Sequence, residues 1–199
     1  MKTAVTPGGS RCMLPGRRLF TAADVAALPR QLPSGPVDFE LDNGKLVPRG
    51  PNSARHGSIQ AHIGAELYAV GERHGCGLGF MNTGVVLWRD PDRVVGPDAA
   101  FVTNRSLPLR ISTEDFLETV PELVVEVCEK CDSNSGIQNK TTDYLKAGVE
   151  LVWIVDPTAE TVVEHRPDTP PRTLGTDDTL VCADIIPGFK LPLVELFRS

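Results

Sequence analysis

Three side chains in this 199-residue sequence, Asp98, Glu126 and Lys140, are of the types that hold a hard cation and steady charge on a phosphate. Glu126 stands alone in the apolar run Leu123-Val124-Val125-Glu126-Val127-Cys128. A carboxylate in a core strand is costly unless a partner meets it, and a divalent ion shared with a second carboxylate is one such partner. Asp98 can supply that second acid, because it follows Gly96-Pro97 and opens Ala99-Ala100-Phe101-Val102, the mouth of another strand. Mg²⁺ prefers oxygen ligands; a bound divalent ion polarises a phosphoryl group and lowers the pKa of water. Lys140 would stabilise charge on the phosphate or help position the attacking water. Tyr144, at i+4, shares its helix face and would orient the lysine or pack beneath it. Glu40, in a hairpin, and His56, at a helix start, are softer candidates. Each residue also has a plainer role open to it. Glu126 could pair with an arginine or face water, Asp98 could cap a turn, Lys140 could be a solvated helix position, and Glu40 a surface residue.

The elements that must position these residues follow from periodicity. Residues 1–18 lack periodicity and carry Pro-Gly and Gly-Gly pairs, which predicts a flexible tail ahead of a single domain over 19–199. Thr21 is placed to cap a short helix over 22–28, with Asp24 at its third position. Two short strands flank Asp42-Asn43-Gly44, a hairpin signal. Ile59, Ile63, Leu67 and Val70 form one helical stripe, which the stretch Gly71 to Gly77 is expected to break. Leu78 to Trp88 reads as a strand region, as does Val94 to Val102 with an interruption at Gly96-Pro97. Glu122 to Cys128 is the clearest buried strand, and its alternation puts Val124, Glu126 and Cys128 on one side and Val125 and Val127 on the other. Residues 129–137 read as loop, and a helix follows over 138–147. Glu150 to Val155 is another apolar strand, so this stretch forms a β-α-β unit within a sheet covered on both faces.

The totals bound the class. Charged residues are 23% and hydrophobic residues 41% of the chain, an ordinary globular balance. A formal net charge of -6 argues against a protein that coats nucleic acid nonspecifically, although a modest local basic groove, from Arg49 and Arg55 near His56 with Lys130 and Lys140, is compatible with it. Five cysteines form no disulfide framework. Cys128 and Cys131 make a C-x-x-C that could be redox active or half a zinc site, and this ranks last among the functional readings. No signal peptide or run long enough to span a bilayer is visible, so a cytoplasmic protein without a membrane partner is expected. No Gly-rich nucleotide loop or zinc-protease motif occurs.

Over residues 20–197 the sequence resembles the Uma2 family, a branch of the PD-(D/E)XK nucleases labelled restriction endonucleases. The resemblance is carried by Phe20-Thr21-Ala22-Ala23-Asp24, by Phe39-Glu40-Leu41-Asp42-Asn43-Gly44, by His56 and by Gly96-Pro97-Asp98. It continues through Pro121 to Val127, Lys140 to Gly148, Trp153 to Pro157, and Pro187-Gly188-Phe189. It implies an α/β (α+β) fold: a restriction-endonuclease-like mixed sheet core flanked by helices, with an N-terminal β-hairpin extension. It also implies that Asp98 and Glu126 are the metal-binding acids. Cys128 stands where the superfamily has its usual lysine, Lys140 resembles the relocated lysine of this branch, and Glu40 resembles a further acid near the site. One departure is Glu129-Lys130-Cys131-Asp132-Ser133, where the family has a serine-proline loop.

Two functions are therefore expected to compete. The first is a Mg²⁺-dependent (or Mn²⁺-dependent) endonuclease hydrolysing DNA phosphodiester bonds. The second is a catalytically degenerate nuclease-fold module that binds nucleic acid or a protein partner. A homodimer is compatible with the apolar edge segments and with the resemblance.

Overall fold

A computed structural model describes residues 18–33, 35–112, 115–129 and 134–198. The expected tail therefore lies outside the described residues except for Arg18. In chain order the elements are α1 (Ala22–Ala26), β1 (Gln31–Leu32), β2 (Gly35–Pro36), β3 (Asp38–Asp42), β4 (Lys45–Arg49) and α2 (Ala54–Glu66). A π-helical stretch, Leu67–Glu72, extends α2 and leads to β5 (Gly77–Met81), β6 (Val85–Trp88), β7 (Arg93–Val95), β8 (Ala99–Thr103) and β9 (Leu123–Val127). Then come α3 (Asn134–Ala147), β10 (Leu151–Asp156), β11 (Thr161–His165), β12 (Arg172–Leu174), β13 (Thr179–Val181), β14 (Lys190–Pro192) and α4 (Leu193–Leu196).

The core is a six-stranded mixed sheet of order β12-β11-β10-β9-β8-β5, in which β9 and β10 run parallel and the other neighbours antiparallel. A four-stranded antiparallel sheet of order β4-β3-β7-β6 stands beside it, with short ribbons β1-β2 and β13-β14 completing the strands. The fold is thus mixed α/β with helices flanking a sheet, as the resemblance implied. Alternation along the central strands separates two cores. Val125, Val127, Phe101 and Trp153 meet the α2 stripe and the C-terminal ribbon. Val124, Val152 and Ile154 meet Tyr144 of α3 and Val85 and Val95 of the smaller sheet.

Local chemistry explains several element ends. Thr21 and Asp24 form a reciprocal capping box on α1, and the Ser53 side chain accepts from the His56 N–H at the start of α2. Asn43 and Gly44 both take positive φ, 49° and 76°, as a two-residue hairpin turn requires.

The structure also redraws several boundaries. The region 78–88 is two strands in different sheets, β5 and β6, and so is 94–102. Gly96-Pro97 is the corner at which the chain crosses from the smaller sheet to the larger. Helix α1 stops at Ala26. Helix α3 begins at Asn134, earlier than expected, because its polar first turn has no apolar period to reveal it. Gly71 does not end the long helix but lies inside its π-helical extension, where the backbone passes close to the Phe101 ring.

Candidate functional site

The register of β8 and β9 sets the site. Ala99 pairs with Val125, so one step further places Asp98 opposite Glu126. Asp98 is fixed there through its Oδ2, which accepts from the Val127 N–H at 2.7 Å, and through its carbonyl, which accepts from Gln60 Nε2 at 2.7 Å and from the Asn82 N–H at 3.3 Å. Glu126 lies on the α3 side of the sheet. Its Oε1 accepts from Lys140 Nζ at 3.0 Å and from the Tyr144 hydroxyl at 2.5 Å. Lys140 Nζ is also 2.9 Å from Glu40 Oε1, which accepts from Arg49 Nη1 at 2.7 Å and from the Gly96 N–H at 3.0 Å. Glu126 Oε2 has Arg49 Nη1 only at 4.0 Å.

His56 closes the other side. Its Nε2 is 3.0 Å from Asp98 Oδ1 and 2.8 Å from Asn52 Nδ2, and its Nδ1 is 3.3 Å from Glu129 Oε1. Among the described residues neither His56 Nδ1 nor Asp98 Oδ1, both buried, meets a partner in hydrogen-bond alignment. The His56–Asp98 approach is thus a contact at ion-pair distance and not a directed hydrogen bond. Burial lowers the pKa of His56, but Asp98 and Glu129 outweigh it and hold the pKa above the usual histidine value.

The electrostatics separate the acids. Burial raises Glu126 above the ordinary glutamate range, with Asp98 and Glu40 adding to the effect against Lys140 and Arg49. Burial also pushes Glu40 upward, yet Lys140 and Arg49 together bring it below the usual value. Burial opposes the charge on Lys140, and Glu126 and Glu40 restore it and raise its pKa. Burial, followed by Glu126 and Glu40, holds Tyr144 well above the tyrosine range, so the phenol stays a hydrogen-bond donor.

A cleft of about 540 Å³ opens onto this cluster between the β3-β4 hairpin and α3. Glu40, Glu126, Arg49 and Lys140 reach its surface, together with Asp42, Glu129, Arg93 and Asp143. Asp98, His56 and Tyr144 lie behind the wall, at 1%, 1% and 0% exposure. The wall thus carries five carboxylates against three permanent cations.

This donor set suits a hard ion that keeps most of its own water. Asp98 Oδ1 has no aligned donor, Glu126 Oε2 has only a distant arginine, and the surplus charge is negative. Mg²⁺ commonly takes only one or two protein carboxylates. The set does not suit a protein-caged ion: among the described residues no group of three or more His, Cys, Asp or Glu side chains is arranged to hold a metal.

The six residues singled out in the sequence, Asp98, Glu126, Lys140, Glu40, His56 and Tyr144, meet in one cluster. Tyr144 contacts Glu126, where the sequence had paired it with the lysine. Glu40 is 5% exposed and ion-paired, and is not a surface residue. Sequence reasoning undervalued Arg49 and passed over Asn52 and Gln60. For Arg49 a signal existed: the Asn43-Gly44 turn fixes Glu40 opposite Val47, which puts Arg49 on the diagonal, the same-face neighbour of Glu40. Cys128 is half-buried. Lys130 and Cys131, the latter the second thiol of the C-x-x-C, lie outside the described residues.

The Uma2 family model, described as "Putative restriction endonuclease", matches residues 25–194. No curated protein matches. Among solved structures, the chain is similar to one described as a "putative nuclease belonging to DUF820" from Anabaena variabilis ATCC 29413. The TM-score is 0.74 and the identity 18%, covering 89% of this chain and 97% of that one. At that identity the likeness concerns the fold. Among the described residues no helix is long and apolar enough to cross a membrane.

Proposed function

The chain belongs to the Uma2 family, and from that premise we propose that it is a Mg²⁺- or Mn²⁺-dependent endonuclease hydrolysing DNA phosphodiester bonds, with residues 19–199 as one functional unit. The observation that carries this reading is the pairing of Asp98 with Glu126 across β8 and β9, each with a carboxylate oxygen free of directed donors and with Lys140 against Glu126. Asp98 and Glu126 would hold the ion, which when bound supplies an activated water and offsets charge on the phosphate. Lys140 keeps Glu126 and Glu40 in place and presents a positive charge at the cleft floor. Tyr144 donates to Glu126 Oε1 and so turns Oε2 away from α3. Gln60 and the Val127 N–H fix the Asp98 backbone and one of its oxygens, leaving Oδ1 beside His56 without an aligned hydrogen bond, the oxygen that would meet the ion. His56 is buried behind Asp98, and Asn52 at the cleft surface holds its ring through Nε2.

Cleavage of plasmid and oligonucleotide DNA with Mg²⁺ or Mn²⁺ tests this. Wild type is expected to cut at least one of these substrates, and Glu126→Ala and Lys140→Ala are each expected to lose about 100-fold or more of that cutting. Undiminished cutting by both variants overturns the assignment.

A second reading, a catalytically degenerate module that binds nucleic acid or a protein partner, is favoured by one observation. The acids are already paired, Glu126 and Glu40 with Lys140 and Asp98 with His56. Absence of cutting by any form, with nucleic-acid binding retained, supports that reading.

A further inference from the structure

We infer that the cleft takes one or two nucleotide units of an unpaired strand, with Arg49 as the phosphate contact, and that a continuous duplex is not its ligand. This deepens the proposed nucleic-acid reading and rests on it.

The first argument is size and depth. The cleft measures about 540 Å³, within the range of pockets that enclose small organic ligands. The acids lie at its floor, with Glu126 8% and Glu40 5% exposed. A phosphodiester must descend between the hairpin and α3 to reach them. A paired strand must leave its stack to do so, at a cost of a few kcal/mol that an unpaired strand does not bear.

The second argument is charge. A protein that tracks a duplex neutralises many phosphates with a basic surface. Here the wall carries an excess of carboxylates, and the whole chain has a net charge of -6. Of the three cations, Arg93 Nε is bonded to Asp143 and Lys140 is held by two carboxylates. Arg49 differs: its side chain is 29% exposed, and its hydrogen bond through Nη1 to Glu40 leaves further N–H donors of the guanidinium fork for a phosphate. The third argument is the remaining lining. Val47, Pro48, Ile137 and Ile154 form an aliphatic wall beside Arg49, suited to a sugar and the face of an unstacked base. No aromatic stacking platform lines the cleft among the described residues, which limits binding to short contacts and not a long tract.

Fluorescence anisotropy tests this with a labelled single-stranded DNA oligonucleotide and the duplex of the same sequence. It is run with and without Mg²⁺, alongside the cleavage assay. The single strand is expected to bind at least tenfold tighter than the duplex. Its log K against log salt slope should be about -1.4 or shallower, the value for two phosphate contacts. Arg49→Ala should weaken it about tenfold, and Val47→Glu, at an exposed position, several-fold with an unchanged melting temperature. Arg49→Lys, which keeps the charge and loses the fork, should fall between wild type and alanine. Duplex binding as tight as single-strand binding, a slope near that of six contacts, or indifference to both the Arg49→Ala and Val47→Glu changes overturns the inference. Preferential single-strand binding without cutting leaves this inference standing and overturns the catalytic one. Cutting with duplex preference does the reverse.

Discussion

At the scale of single residues, Glu126 is held by two donors on one oxygen, and that asymmetry makes the contributions separable. Tyr144→Phe removes the hydroxyl and leaves Lys140 in place, so a loss of about 1–3 kcal/mol is expected in urea titration; no loss at all would mean that the Tyr144–Glu126 bond contributes nothing net. Glu40 gives a pH signature. Its folded pKa lies below the ordinary 4.5, so its contribution is fully present above that value and is lost as pH falls through the folded value. Unfolding free energies from pH 3 to 7 should show an acid limb in wild type that Glu40→Gln flattens; parallel profiles would exclude Glu40 as its source. Glu126 was legible in the sequence because a charge inside an apolar run is conspicuous. Gln60 and Asn52 were not: a polar residue on a helix looks the same whether it faces water or, like Gln60, a buried backbone carbonyl, and Asn52 stands in irregular chain ahead of α2.

At the scale of elements, the strongly periodic pieces were readable and the junctions between sheets were not. The hairpin declared itself through Asn43-Gly44, and α2 through its stripe. Assignment of 78–88 to two sheets depends on contacts that no local pattern encodes, such as Val86 N–H donating to the Leu117 carbonyl. Gly71 shows the same limit. In sequence it looks like a helix stop; in space a Cβ there would sit 2.6 Å from the Phe101 ring. Gly71→Ala is therefore expected to destabilise the fold by about 1–3 kcal/mol through overpacking, despite the better helix propensity of alanine. A more stable variant in thermal unfolding would show that the helix can shift away from β8.

At the scale of the whole molecule, the six-stranded sheet separates two cores, and Cys182 reports on one of them. Its thiol is 1% exposed, and burial pushes its pKa up to about 12. Alkylation of Cys182 at pH 8, mapped by mass spectrometry, should thus require global opening and follow the unfolding equilibrium; rapid labelling of the native protein would contradict this packing. The layered class was legible from the β-α-β pattern, whereas the attachment of the smaller sheet was not, because it runs through side chains. Lys140 is one of those attachments. Its ammonium joins Glu126 of the large sheet to Glu40 of the small one. A lineage that gave up hydrolysis would still be under selection to keep all three residues, since losing the lysine leaves two buried acids short of a partner. Their persistence in descendants therefore records architecture as much as chemistry, and inheritance of the triad is not by itself a sign of a working enzyme.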